Sequence, residues 1–261
     1  RFFKAERLNR AGPGLAGADL DRALIWNGNW QVAWRDGVQL LRAISKDAAL
    51  ELDLRPAKPP VINGEDGVSQ KADGTGKASH YITFTRLNAI GSLQLDGEVF
   101  SLEGAAWMDH EFSTNSMGDD QAGWDWLSLQ FDDSAELMLY RLRDADGLAD
   151  AHSAGTYIGA DGATVHLKAA DFTMTPGARW TSPATGGIYP LEWRVEVPKL
   201  SLDLTVSTPL QAQEMVPTNG RGPTYWEGAI EVEGGVLRGV GYLEMTGYAE
   251  RLQLGVERQS R

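Results

Sequence analysis

Apolar and polar residues alternate with a period of two along much of this chain. Trp193, Val195 and Val197 alternate with Arg194 and Glu196, and Ile82 and Phe84 alternate with Thr83 and Thr85. Leu50-Glu51-Leu52-Asp53-Leu54 keeps the same rhythm, and Leu93, Leu95, Val99 and Leu102 flank an Asp96-Gly97 pair. This period predicts strands with one buried face. Between the runs stand Asn27-Gly28, Asp36-Gly37, Asn63-Gly64, Asp66-Gly67, Asp73-Gly74, Asp96-Gly97, Asp146-Gly147 and Asp161-Gly162. Such pairs suit hairpin turns because both central positions tolerate positive φ.

Helical patterning is sparse. Leu167 to Phe172 fits a single turn or a short helix. Leu40 to Ala49 can be read as helical, but a hairpin turning near Lys46-Asp47 fits better with the clean alternation beyond it. Many short strands with regularly spaced turns predict an all-β barrel or sandwich. Ser113 to Gly123 is polar, contains Gly and has no period, so it is the expected boundary between two strand-rich halves. The Trp107–Phe112 strand closes the first half and Trp124 opens the second. Thr181 to Pro190 and Val216 to Pro223 read as loops inside the second half.

Composition narrows the function classes. The 261 residues suffice for one large β domain or two ordinary ones, and 42% hydrophobic residues support a real core. Lys plus Arg is 24 and Asp plus Glu is 36, a net charge of −12. That balance argues against nucleic acid or an anionic membrane surface as partner and suits a neutral or apolar ligand. The absence of cysteine excludes thiol nucleophiles, disulfides and thiolate-held metals. No apolar run is long enough for a membrane-spanning helix. The Arg1-Phe2-Phe3 start, without Met, reads as processed or truncated, with any targeting peptide out of view.

Candidate chemistry concentrates in three strands. Trp107-Met108-Asp109-His110-Glu111-Phe112 joins Trp and carboxylates to one of only four His. In a strand, Trp107, Asp109 and Glu111 share a face and His110 lies on the other. A carboxylate beside an indole ring suits a general acid, and His110 held by a neighbouring carboxylate suits an acid or base. The alternative is that these groups satisfy turn or interdomain hydrogen bonds.

Trp124-Asp125-Trp126 puts two rings on one face, as an aromatic wall for a flat or polyunsaturated ligand or as core filling. Leu137 to Arg143 places Met138, Tyr140 and Leu142 together, with Arg141 and Arg143 opposite. Tyr140 can donate a proton or orient a substrate, and the two Arg are expected to pair with surface carboxylates. Tyr225-Trp226-Glu227-Gly228 and Gly241 to Tyr248 form a second aromatic and acidic cluster. Its Tyr225, Glu227, Tyr242 and Glu244 either extend the site or bond a barrel-closing strand. Ser79-His80-Tyr81 opens a strand whose side chains either face a cavity or are satisfied polar groups. No Gly-x-Ser-x-Gly elbow, His-Glu-x-x-His zinc motif, phosphate loop or dinucleotide fingerprint is present.

Taken together, these stretches resemble the AttH and carotenoid 1,2-hydratase-like family of secreted hydrolases. Trp107–Phe112, Gly123–Trp126 and Glu136–Arg143 carry the resemblance. It extends to Gly14-Leu15-Ala16-Gly17-Ala18, Ala78-Ser79-His80-Tyr81, Tyr225–Gly228 and Gly241–Tyr248, and so spans nearly the whole chain. It implies two lipocalin-like antiparallel β-barrel domains, residues 1–115 with an incomplete start and residues 119–261, with a ligand site near their interface. It also implies a periplasmic or secreted location. Family members include carotenoid hydratases, which add water to an isolated terminal double bond, and fungal proteins that promote cycloadditions. The hydratase pattern has His-x-Trp and Tyr-x-Asp, the Asp being the proton donor. Here His110-Glu111-Phe112 and Tyr140-Arg141-Leu142 keep the His and Tyr but not the Trp or the Asp, leaving Asp109, Glu111 or Asp125 to replace the acid.

Two functions follow as expectations. In the first, an enzyme-like pocket takes an apolar lipid, isoprenoid or polyene. His110, Asp109, Glu111 and Tyr140 perform hydratase- or hydrolase-type acid–base chemistry, while Trp107, Trp124, Asp125, Trp126, Tyr225, Glu227, Tyr242 and Glu244 bind the ligand. In the second, the protein carries a lipid without chemistry in a calyx-shaped barrel. An ester hydrolase is weaker, since no nucleophile arrangement is visible. None of these calls for a metal or cofactor.

Overall fold

The computed structural model describes residues 4–113, 117–218 and 222–252. The Arg1–Phe3 start, Thr114 to Ser116 of the expected boundary and residues 219–221 of the second expected loop lie outside them. Strands dominate, as the alternation predicts, and the fold is all-β with antiparallel, lipocalin-like sheets. In chain order the strands are β1 (Ala16–Asp19), β2 (Leu24–Asn27), β3 (Trp30–Arg35), β4 (Val38–Ile44), β5 (Ala48–Pro56), β6 (Val61–Ile62), β7 (Ser69–Gln70), β8 (Ala78–Leu95), β9 (Glu98–Phe112), β10 (Gln121–Phe131) and β11 (Glu136–Asp144). They continue as β12 (Ala154–Ile158), β13 (Thr164–Lys168), β14 (Thr173–Pro176), β15 (Arg179–Thr181), β16 (Ile188–Pro190), β17 (Glu192–Val197), β18 (Leu202–Ser207), β19 (Glu214–Met215), β20 (Tyr225–Gly234) and β21 (Leu237–Thr246). No helix among the described residues is long and apolar enough to cross a membrane.

The chain divides into two compact units. Among the described residues, one contains 4–60 together with 83–109, and the other contains 61–82 together with 110–252. In the first, β1 to β5 form an antiparallel meander that continues into β8. Tight turns set its register: Arg35 pairs with Val38 across Asp36-Gly37, where φ is 50° and 76°. Those positive values match a type I′ turn, which Asp-Gly accommodates. The Leu40–Ala49 segment is the expected hairpin, with Ser45 Oγ accepting hydrogen bonds from the Asp47 and Ala48 amides at the turn. The core here is small: Leu54, Leu87 and Ala89, flanked by Leu41, Leu52, Phe84, Ala106 and Met108.

The second unit carries the larger core. A sheet in the order β13-β12-β11-β10-β21-β20-β18-β17-β14 encloses Leu127, Leu129, Phe131, Leu137, Leu139, Trp193, Trp226, Ile230 and Leu243, all almost completely buried. Trp193, Val195 and Val197 face inward, as their alternation predicts. Leu167–Phe172 contains one 3₁₀ turn, Ala169–Asp171. The core of this unit is thus packed from its own side chains.

Three further readings change. Along β8 the buried positions include Tyr81, Thr83, Thr85 and Leu87, while Ile82 and Phe84 are half-buried, so the alternation is real but its buried face is the one that carries the two Thr. Thr83 Oγ1 satisfies its burial by donating to Asp109 Oδ1 at 2.9 Å. Thr181–Pro190 is not wholly loop, since β15 and β16 pair around it. The β20–β21 turn is Gly235-Val236, with Gly235 at a φ of 62°, a pair that a search for Asp-Gly and Asn-Gly passes over.

Candidate functional site

Period-two alternation builds the site in the second unit. With Leu127, Leu139 and Leu243 committed to the core, their neighbours Trp126, Tyr140 and Glu244 turn to the opposite face. The register lines them up across three strands: Tyr140 of β11 opposes Trp126 of β10, which opposes Glu244 of β21. Glu227 of β20 completes the row opposite Glu244, and Trp124 opposes Leu142 one step along.

Residues 61–82 cover part of this face. Asn63 Oδ1 accepts from Thr156 Oγ1 at 2.8 Å, Ser69 Oγ and the Tyr140 hydroxyl lie 3.0 Å apart, and Trp126 Nε1 donates to the Tyr81 hydroxyl at 2.9 Å. Between cover and sheet lies a cavity of about 90 Å³. Lys71, Tyr81, Glu111, Met117, Trp124, Trp126, Tyr140 and Leu142 line it.

Its polar end is one ion pair. Lys71 Nζ lies 3.0 Å from Glu111 Oε1, which also accepts from Ser79 Oγ. Lys71 is 7% exposed, far from the usual solvated lysine. Its ammonium sits 3.7 Å from the Tyr140 ring centre and 5.3 Å from that of Tyr81, within cation–π range of both. The backbone holds it in place: the Lys71 amide donates to Lys77 O, and its carbonyl accepts from Gln121 Nε2 at 2.6 Å. A carboxylate, an ammonium and a phenol thus share an aromatic pocket, a set able to move protons and to bind an oxygen atom.

Beside the cavity, Trp124 Nε1 donates to Glu244 Oε1 at 2.6 Å. Burial raises the Glu227 carboxyl, against the pull of its Tyr225 hydrogen bond. Burial and the two carboxylates push the phenols of Tyr225 and Tyr242 up to about 12. Among the described residues no cluster of His, Cys, Asp and Glu could hold a metal ion.

Comparison with known proteins bears out the motif resemblance. A family model described as AttH-like matches residues 1–248. The chain belongs to the AttH-like family. A solved structure from Nitrosomonas europaea, itself designated an AttH, superposes with a TM-score of 0.81 at 29% identity, over 89% of this chain and 74% of that one. Kievitone hydratase from Nectria haematococca shares the fold, with a TM-score of 0.68 at 18% identity over 87% of this chain and 70% of that one. No curated protein matches in sequence.

In this AttH-like chain the residues singled out from sequence fall into three groups. Glu111, Tyr140, Trp124 and Trp126 line the pocket. Tyr225, Glu227, Tyr242 and Glu244 share its sheet face, Glu244 through the Trp124 indole, but do not line it. The remaining four are elsewhere. His110 is exposed, its ring 5.3 Å from Phe112, and it does not reach the cavity. Asp109 belongs to the first unit, where it accepts from Thr83 and, at 2.8 Å, from Trp107 Nε1. Trp107 is thereby that carboxylate's donor.

Asp125 has no exposed surface and points to the face away from the pocket. Arg141 Nη1 and Arg143 Nε lie 2.9 and 3.0 Å from it, and the Tyr248 hydroxyl donates to it at 2.9 Å. The two arginines therefore pair with a buried carboxylate and not, as expected, with surface ones. Their parity with Leu137 and Leu139 turned them inward, where a charge needs a partner. His80 lies on the surface against Gly67 O, whereas its neighbours Ser79 and Tyr81 take part in the site.

Sequence reasoning missed Lys71, Met117, Ser69 and Leu142's contact with the cavity. A lysine inside the polar, Gly-containing run from Ser69 to Lys77 carries no local mark of burial. Only the chain's return through β8 brings it under the sheet.

Proposed function

We propose that this protein binds an apolar, unsaturated small molecule by one end in the pocket of the second unit and adds water to it. The observation that carries this reading is the Lys71–Glu111 pair enclosed by Trp124, Trp126, Tyr81 and Tyr140. A cavity near 90 Å³ falls below the ~300–1,000 Å³ of clefts that swallow a whole drug-sized ligand, so it suits a terminal group. In this reading Glu111, at the accessible edge, takes a proton from water as base. Tyr140 and Lys71 donate at the reacting end, and the ring faces of Trp124 and Trp126 stabilise positive charge. Kievitone hydratase is by its name a hydratase, and its shared fold agrees with this chemistry.

The test starts from compounds extracted from the purified protein. They are returned to fresh protein in ¹⁸O-labelled water and followed by mass spectrometry. A product that has gained one labelled water, absent with Glu111→Gln, supports the reading. Recovery of the compound unchanged defeats it.

One observation favours a second reading, the lipid carrier. Lys71, Glu111 and Ser79 already satisfy one another, an arrangement equally suited to anchoring a ligand without chemistry. The same experiment separates the two readings, because a carrier returns its ligand unaltered.

A further inference from the structure

We propose that the pocket of the second unit recognises an uncharged carbonyl oxygen on its apolar ligand, with Lys71 as the donor. This rests on the reading of that pocket as the ligand site and specifies what the ligand must carry.

An ammonium has three N–H donors. Among the described residues, a single oxygen, Glu111 Oε1, meets that of Lys71. Its other close neighbours are ring faces, Tyr140 at 3.7 Å and Tyr81 at 5.3 Å. Rings stabilise the charge, but they do not complete the hydrogen bonds that burial of this group has taken from water. Donor capacity is therefore left over at the cavity wall, where a ligand oxygen can use it. A pure hydrocarbon end would leave that capacity unused.

Charge selects the kind of oxygen. Lys71 and Glu111 are the only charged residues among the eight that line the cavity, and they cancel. A ligand carboxylate or phosphate would leave a net negative charge in an aromatic enclosure, at a desolvation cost that the already paired ammonium does not offset. An alcohol would bring a donor as well as an acceptor, and the Lys71 ammonium has only donors to offer it. A ketone or aldehyde brings only an acceptor. Its carbonyl also fits the small volume, with the apolar remainder leading away along Met117, Leu142 and the two Trp rings.

The test compares three chains of equal length, octane, octan-2-one and octanoate, by titration calorimetry at neutral pH. Wild-type protein is expected to bind octan-2-one roughly tenfold or more tightly than octane, the scale of one hydrogen bond to a charged donor. Octanoate is expected to bind more weakly than octan-2-one. Lys71→Met, with unchanged circular dichroism, should bring octan-2-one down to the level of octane. Equal binding of ketone and alkane by wild type overturns the proposal, as does octanoate binding tightest, or a ketone preference that survives in Lys71→Met. If Lys71→Met does not fold, the wild-type ranking decides alone. Binding of octane without any ketone preference sinks this inference and leaves the apolar-ligand reading standing. No binding of either neutral probe sinks both.

Discussion

Asp125 shows what a residue of fixed type does when its face is decided by parity. Trp124 and Trp126 open onto the pocket, so Asp125 between them must point into the protein, where its surface is fully covered. It is tolerable there because Arg141 and Arg143 reach it from the same parity of β11. Asp125→Ala would leave two guanidinium groups buried with no carboxylate between them, and the expected loss is about 3–5 kcal/mol of stability in urea unfolding. A loss below about 1 kcal/mol would show that the triad holds nothing together. Glu227 gives a different test. Its folded-state pKa is raised, so the stability it lends is complete below the ordinary Glu range and is lost as pH rises through the raised value. Glu227→Gln stays neutral throughout. The variant should therefore gain stability relative to wild type between pH 4 and pH 7, read from urea midpoints, and a constant difference would contradict the assignment.

At the scale of elements, register carries the site. Glu227, Glu244, Trp126 and Tyr140 stand in one cross-strand row only while β10, β11, β20 and β21 keep their pairing. Gly241 secures the centre of that pairing, since a Cβ there would lie 2.0 Å from the Ser128 carbonyl oxygen of β10. Gly241→Ala should therefore push the strands apart and cost about 1–3 kcal/mol, with weakened ligand binding in the same samples. Thermal and calorimetric measurements on the variant check both. The Asp36-Gly37 and Asp96-Gly97 turns and the alternation of β17 were legible from sequence, because turn chemistry and period are local properties. The buried face of β8 was not. Ile82 and Phe84 look like the core side, but the buried side is that of Tyr81, Thr83, Thr85 and Leu87, where Thr83 is bonded to Asp109.

The whole molecule explains which parts of the site stayed hidden. The motifs around Glu111, Trp124, Trp126 and Tyr140 were visible as unusual clusters and as marks of the AttH-like family. His110 and Asp109, equally prominent in the same cluster, are not part of the lining: His110 alternates to the face opposite Glu111, and Asp109, on the same face two residues earlier, is engaged by Thr83 and Trp107. Lys71 could not be found, since its role depends on residues 61–82 packing with strands that follow their contacts by 32 to 93 residues in sequence. The proposed function requires an apolar molecule seated in the cavity under Tyr81 and Lys71. The most direct measurement is photolabelling of the intact protein with an alkyl diazirine, followed by peptide mapping. Adducts are expected on Met117, Trp124, Trp126 or Leu142, and adducts confined to residues outside that lining would rule out a ligand seated there.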